Sequence, residues 1–352
     1  MSPTTEAAID AIGREGPRDW VLEPETHAAA LPPSAAALKR VLTSPELTHL
    51  IQDFSEKDRH AGEAQRVYKR LAKTSAVASF LSVLIASTLL LPPLTGVPPI
   101  LITMMAGIQG VLLVVSYVAS FVLMYRKPFA RWMHLRAEAE TFRIALFDKI
   151  LAAEHKEPPR PEELPLLPLQ LEYFRRHQFD VQRLYYAKRG SQHAAAVRRA
   201  GLWRLAGLIL VGLAAVPLAL NLIDRSALPD VIERAFAFIP SRLELAQRLF
   251  LCFGLIGGAL QGLLASVLLM SQDERNSVRY LDTARNLEDL ATRPLAEARE
   301  AASAGDRAQV LAFAALLHQE ISSEHREWIA LRSMVPDLSL RQLRAMRLPK
   351  VV

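Results

Sequence analysis

From Thr74 to Tyr125 the chain runs for 52 residues without an Asp, Glu, Lys, Arg or His, and only the proline-rich stretch Leu91 to Pro99 interrupts the apolar pattern. A helix needs about 20 apolar residues to cross the hydrocarbon core, and lipid offers no hydrogen bonds to exposed backbone. The run therefore predicts two spans, about 74–91 and 100–125, joined by a tight turn. Leu205 to Ile223 and Leu249 to Gln272 are uncharged over 19 and 24 residues, which predicts two more, about 202–223 and 249–271. Four such segments in 352 residues argue against buried hairpins in a soluble protein. The expected fold class is all-α: an integral membrane protein with four transmembrane helices in two parallel helical-hairpin repeats, extended by cytosolic helices.

Outside the spans the pattern becomes charged and helical. Residues 1–44 mix Pro, Ala, Ser and Thr without periodicity and are expected to be poorly ordered. Pro45 to Lys73 leads into the first span, Arg131 to Leu151 follows the second, and Asp273 to Ala302 follows the fourth. Asp306 to Arg332 places Val310, Phe313, Leu317, Ile321, Trp328 and Leu331 on one helical face, for which an intrachain bundle is the simplest partner. The prolines and charges of 154–170 form a semi-rigid linker. The domains expected are thus 1–44, a first repeat 45–153, the linker, a second repeat 171–335 and a basic tail 336–352. In that tail Arg341, Arg344, Arg347 and Lys350 recur every third residue, as a membrane-surface segment or an ordinary charged extension.

The chain repeats itself. Gln65-Arg66-Val67-Tyr68 precedes the first span and Gln182-Arg183-Leu184-Tyr185 the third, while Gln109-Gly110 and Gln261-Gly262 lie near the middle of spans two and four. Both halves begin and end on one side, so their expected axis runs along the membrane normal, unlike the inverted repeats of many carriers. Gln109 and Gln261 must face protein or water, because an unpartnered amide in hydrocarbon costs several kcal/mol. Two readings stand: interhelical glue, or the lining of a pore with Ser116 and Ser120, which share the helical face of Gln109. Gly254, Gly258, Gly262 and Ser266 form a small-residue stripe that permits close helix approach, within one chain or between subunits.

Charge fixes the expected topology. Lys and Arg concentrate before the first span, after the second and before the third, and the first turn has none, which places both termini in the cytoplasm of a multi-pass inner (plasma) membrane protein. The net charge of +6 is absorbed by these residues, so a nucleic acid polymer is not needed as a partner, whereas the lipid bilayer is. The single cysteine, Cys252, excludes an intrachain disulfide. Glu320 and Glu324 lie near His318 and His325, yet no HExxH or paired-cysteine pattern supports a metal there. No phosphate-binding glycine loop or nucleophile elbow is present, and no enzyme activity or cofactor is expected.

Arg66 to Lys73 before a span, Arg131-Trp132-Met133-His134-Leu135-Arg136-Ala137-Glu138-Ala139-Glu140 after one, Gln182 to Lys188, and Glu320 to Trp328 together resemble the SLATT superfamily. These are bacterial two-helix membrane domains associated with nucleotide-synthesising and SLOG-type sensor proteins. The resemblance covers about 50–333 as two tandem copies, with Tyr68, Trp132, Tyr185 and Trp328 as cytosolic helix contacts. His318 departs from it, standing where an acidic residue is expected. What the resemblance implies is a homo-oligomeric, pore-forming effector of bacterial conflict or anti-phage (antiviral) defence, switched on by a cytosolic sensor or nucleotide-signalling partner encoded nearby. A constitutive channel or transporter and a non-conducting scaffold are the alternatives.

Overall fold

A computed structural model describes residues 3–12, 22–89, 98–154, 161–222 and 243–322. These residues are helical, and no strand occurs among them. In chain order the helices are α1 (Pro3–Asp10), α2 (Pro24–Ala30), α3 (Ala36–Leu42), α4 (Pro45–Leu89), α5 (Pro99–Arg126), α6 (Pro128–Ala152) and α7 (Leu166–Phe174). A π-helical turn, Arg175–Asp180, leads into α8 (Val181–Leu222). Then come α9 (Leu243–Ser271), α10 (Asp273–Leu290), α11 (Arg293–Ala304) and α12 (307–322). Proline opens α2, α4, α5 and α6, where its missing N–H costs nothing and its φ suits the first turn.

The helices sort into two units: residues up to Glu63, Ala130–Ser191 and from Ser277 onward, and separately Ala64–Phe129 with Gln192–Asn276.

The first unit is a helical bundle around α7. Every residue from Leu167 to Phe174 is buried, as expected of a helix with no polar face. Phe147, Phe174, Phe179, Leu146, Ile150 and Phe313 pack about it. Residues 3–12 and 22–44, whose composition predicts poor order, supply Ile9, Leu38 and Leu42 to this core; short helices draw their stability from such packing and not from periodicity. Helix ends are satisfied locally. Gln170 Nε2 donates to the carbonyls of Ile150 (2.6 Å) and Ala153 (2.8 Å), and Arg307 donates to that of Leu151, placing a cation at the negative end of α6. Gly305, at φ +80, closes α11, where Asp306 N–H reaches Ala301 O at 2.8 Å.

The second unit holds the rest of α4, α5, most of α8, and α9. Pro45–Leu89, Pro99–Arg126 and Phe250–Leu290 each contain a stretch long and apolar enough to cross a membrane, so this is a membrane protein by length and composition. The third expected span, Leu205 to Ile223, continues into side chains outside the described residues. The part that is described, in α8, exposes Leu202, Leu205, Leu208, Ile209, Val211 and Leu213. Most of the proline-rich turn after α4, and Trp328, also lie outside.

Candidate functional site

Within the second unit, α4 and α5 are held antiparallel by serines. Ser75 Oγ lies 2.6 Å from Ser120 Oγ and 3.3 Å from the Ser116 carbonyl, and Ser116 Oγ donates back to the Ser75 carbonyl at 3.1 Å. One heptad on, Ser82 Oγ reaches the Gln109 carbonyl at 3.5 Å. At the far end of α4, the Cys252 thiol of α9 donates to the Ser87 carbonyl at 2.9 Å. Buried side chains here are small: Ala72, Ala78, Ser82, Ser87, Ala119 and Cys252. Lipid-embedded helices associate through close backbone approach and polar glue, because the large apolar residues gain nothing by leaving lipid.

Helices α8 and α9 meet more closely. A Cβ added to Gly257 would sit 2.8 Å from the Gly207 carbonyl oxygen, and one added to Gly207 would sit 2.6 Å from Gln261 Nε2. Gln261 spends that amide on the Arg204 carbonyl at 2.5 Å. Arg204 extends its guanidinium to Glu274 at 3.0 Å, keeping its charge toward the polar end of the pair while its stem covers apolar surface. Nearby, His193 Nδ1 is 2.5 Å from Asp273, which also accepts from Ser271 Oγ at 2.5 Å.

Of the residues singled out by sequence, Ser116, Ser120 and Gln261 therefore make hydrogen bonds between helices of the same chain, and Gln109 is half-buried beside Ser82. In the glycine stripe only Gly254 is packed, its Cβ position 2.8 Å from Ala214 Cβ. Gly258 and Gly262 face open space, and Ser266 bonds its own helix at Gly262. The tight approach belongs to Gly257, one position off the stripe. The doublet Gly257-Gly258 fits either face, and within this chain it is Gly257 that meets α8. Ser75 and Ser82, seven residues apart on α4, were the readable sign of the α4–α5 seam.

Two non-glycine residues have left-handed backbone among the described residues, Lys127 (φ 45) and Gln272 (φ 51). Each is the single residue at which an apolar helix ends and a charged helix begins, α5 to α6 and α9 to α10. By contrast α4 and α8 run through uninterrupted for 45 and 42 residues.

In the first unit the charged motifs meet one another. Arg136 bonds Asp58 at 2.6 Å, Gln182 Nε2 donates to Glu140 at 3.3 Å, and the fully buried Arg143 donates through Nε to Gln178 Oε1 at 2.7 Å. Burial works against the charge of Arg136, but Glu140, with Tyr185 and Asp58, outweighs it and raises the pKa, whereas burial lowers that of Arg143. Tyr185 packs on Tyr186 and Tyr280 with the Arg189 guanidinium 5.7 Å above its ring. In the second unit, Tyr68 rests 5.1 Å from Phe129. Trp132 is half-buried on α6. His318 pairs with Asp148 at 3.1 Å and Glu320 accepts from Asn286 at 3.0 Å. Among the described residues no group of three His, Cys, Asp or Glu side chains is placed to hold a metal.

Comparison of the chain with protein-family profiles, with curated proteins and with solved structures gives no match.

Proposed function

We propose that the protein is a four-span, inner-membrane effector of a bacterial conflict or anti-phage system, which oligomerises and permeabilises the membrane when a cytosolic sensor or nucleotide signal acts on its soluble helices. The observation that carries this reading is the division of labour in the chain. One unit presents large apolar side chains outward around a seam of serines and glycines, and the other buries a conventional aromatic core and a charged network. The SLATT resemblance supplies the biological setting.

A duplication underlies it, with α8 carrying the third of its four spans. The two halves share an order of elements: a long helix of 45 or 42 residues, a helix of 28 or 29, a left-handed elbow, then a charged helix of 25 or 18. In the resting state Ser116, Ser120 and Gln261 are spent on intrachain bonds. Conduction requires them to be released toward water.

Uptake of a membrane-impermeant dye by cells expressing the protein, with and without its genomic neighbours, tests the proposal. Uptake only with an activating neighbour supports a conditional effector, and uptake without one supports a constitutive channel. No uptake in any combination, with cells growing normally, rejects a pore. The same intrachain bonds favour a non-conducting scaffold as the second reading, which predicts partner capture without dye.

A further inference from the structure

The two elbows at which apolar helices pass into charged ones are built alike and charged differently. Each turns on one non-glycine residue with left-handed backbone, Lys127 after α5 and Gln272 after α9. At the second elbow acids meet the cations: Asp273 pairs with His193 and Glu274 with Arg204, and Arg198 and Arg199 lie between those two partners along α8. In 192–215 and 250–276 together, four Arg and Lys residues stand against two Asp and Glu. Between Ala64 and Phe129 there are six, Arg66, Lys69, Arg70, Lys73, Arg126 and Lys127, and no Asp or Glu. Arg70, Lys73, Arg126 and Lys127 are exposed, and none of these four forms an ion pair among the described residues.

The four cations lie at one end of the α4–α5 pair. Ser75 Oγ meets Ser120 Oγ at 2.6 Å. Five residues from that contact, about 7.5 Å along each axis, stand Arg70 on α4 and Tyr125 on α5, with Arg126 and Lys127 next in sequence. Lys73 is about 4.5 Å nearer the contact than Arg70. Arg70 and Lys73 lie about 140° and 160° round α4 from Ser75, and Arg126 about 120° round α5 from Ser120, so the cations ring the pair and do not converge on a pocket. Tyr117, Phe121 and Tyr125 recur every fourth residue on α5 at 72%, 48% and 77% exposure, and the last two rings stack 5.9 Å apart. Exposed tyrosines at a span end sit at the level of lipid headgroups.

We infer that this end of the α4–α5 pair is a binding belt for anionic phospholipid: headgroups of the adjoining leaflet supply the negative charge that Asp273 and Glu274 supply at the other elbow. A soluble anion needs cations that converge on it. Outward cations bordered by apolar and aromatic surface complement a plane of headgroups instead, and Lys73 reaches that plane along its own stem. The inference rests on the membrane reading of α4 and α5 and holds whether or not the protein conducts.

The test compares the lipid beside each elbow, using the full-length protein in nanodiscs of equal parts phosphatidylglycerol and phosphatidylcholine. In a Cys252→Ser background a bimane fluorophore is attached at Phe121→Cys or Leu205→Cys, exposed positions five and six residues inside Arg126 and Arg199. Its quenching by spin-labelled phosphatidylglycerol is divided by its quenching by spin-labelled phosphatidylcholine. The expected ratio is about 5 at position 121, the attraction of one cation for an anionic surface, and below about 2 at position 205. Substituting Arg70→Gln, Lys73→Gln, Arg126→Gln and Lys127→Gln together should bring the ratio at 121 below about 2. Should that chain fail to insert, Arg70→Gln with Lys73→Gln alone leaves Arg66, Lys69, Arg126 and Lys127 to hold the topology, and should bring the ratio below about 3. Equal ratios at the two positions, or a ratio at 121 unchanged by the substitutions, overturn the belt. A ratio at 121 that inorganic phosphate abolishes at constant ionic strength points to a soluble anion and overturns it as well.

Discussion

The two units of this chain are packed inside out with respect to each other. In the first, the largest fully buried side chains are Arg143, Tyr173, Phe147, Phe174 and Phe179, and its exposed large hydrophobics among the described residues are Leu184, Val278 and Leu316. In the second, Val111, Val114, Tyr117, Phe121, Leu205 and Leu208 face outward, Ala119 is the only buried residue of α5, and the buried residues among those described are mainly alanine, serine, glycine and cysteine, with Leu268, Asp273 and Asn276 toward the end of α9 and the start of α10. Water rewards burying apolar area at roughly 25 cal/mol per Å². Lipid does not, so contact there is decided by how closely backbones approach and by which polar groups find partners. One sequence therefore follows two packing rules, each valid for one solvent.

The sharpest way to break that comparison is to make the same kind of change in both units. Phe147→Ala removes a fully buried ring from the first and should cost about 3–5 kcal/mol, read as a fall in the denaturation midpoint of the detergent-solubilised protein. Phe121→Ala, at an exposed position of α5, should stay within about 0.5 kcal/mol. Val114→Lys inverts the ranking in a membrane: a lysine at the centre of a span costs about 3 kcal/mol of insertion free energy, so less protein should resist alkaline extraction. If Val114→Lys integrates as well as the parent, α5 does not face lipid and the outward apolar surface needs another explanation.

The glycines test the lipid rule alone. Gly257→Ala forces a Cβ to within 2.8 Å of a backbone oxygen that cannot swing aside, and should destabilise the α8–α9 pair by about 1–3 kcal/mol. Gly258→Ala meets nothing within 4 Å and should gain about 0.5–1 kcal/mol from helix propensity. Thermal unfolding of the two variants in one detergent should move in opposite directions. Equal losses would mean that Gly258 also packs closely, as it would against a second subunit.

How much of this was legible follows the same division. Hydropathy announces α5 and the apolar parts of α4 and α9, because lipid demands uninterrupted apolar length and nothing else imitates it. Which residues meet across a span is harder to read, since a face of small residues has no unique period: Gly254, Gly258 and Gly262 were visible, while Gly207 and Gly257 make the closest approach. In the water-type unit the amphipathic face of 307–322, with Val310, Phe313 and Leu317, reads directly into the core. Residues 3–12 and 22–44 carry no periodicity because helices of seven or eight residues are too short to show one, and their burial depends on partners more than 100 positions away, as Tyr173 is from His27. Glu140 and Gln182 belong to separate sequence motifs, and only the fold brings them together.

The smallest expected effect sits where the chain passes between the two regimes. Gln272 adopts φ 51 and its buried Oε1 has no hydrogen-bond partner, so the elbow carries both a left-handed penalty of about 1–2 kcal/mol and an orphaned acceptor. Gln272→Gly removes both, at the cost of about 0.5–1 kcal/mol of unfolded-chain entropy, and should leave a net gain near 1 kcal/mol, visible as a rise of a few degrees in Tm. Gln272→Val should lose stability, because a β-branched residue tolerates that region least. If both variants lower Tm alike, the Gln272 side chain holds the elbow through contacts that outweigh its backbone strain, and the break between α9 and α10 is set by the side chains around it, Asp273, Ser271 and His193, and not by one residue's conformation.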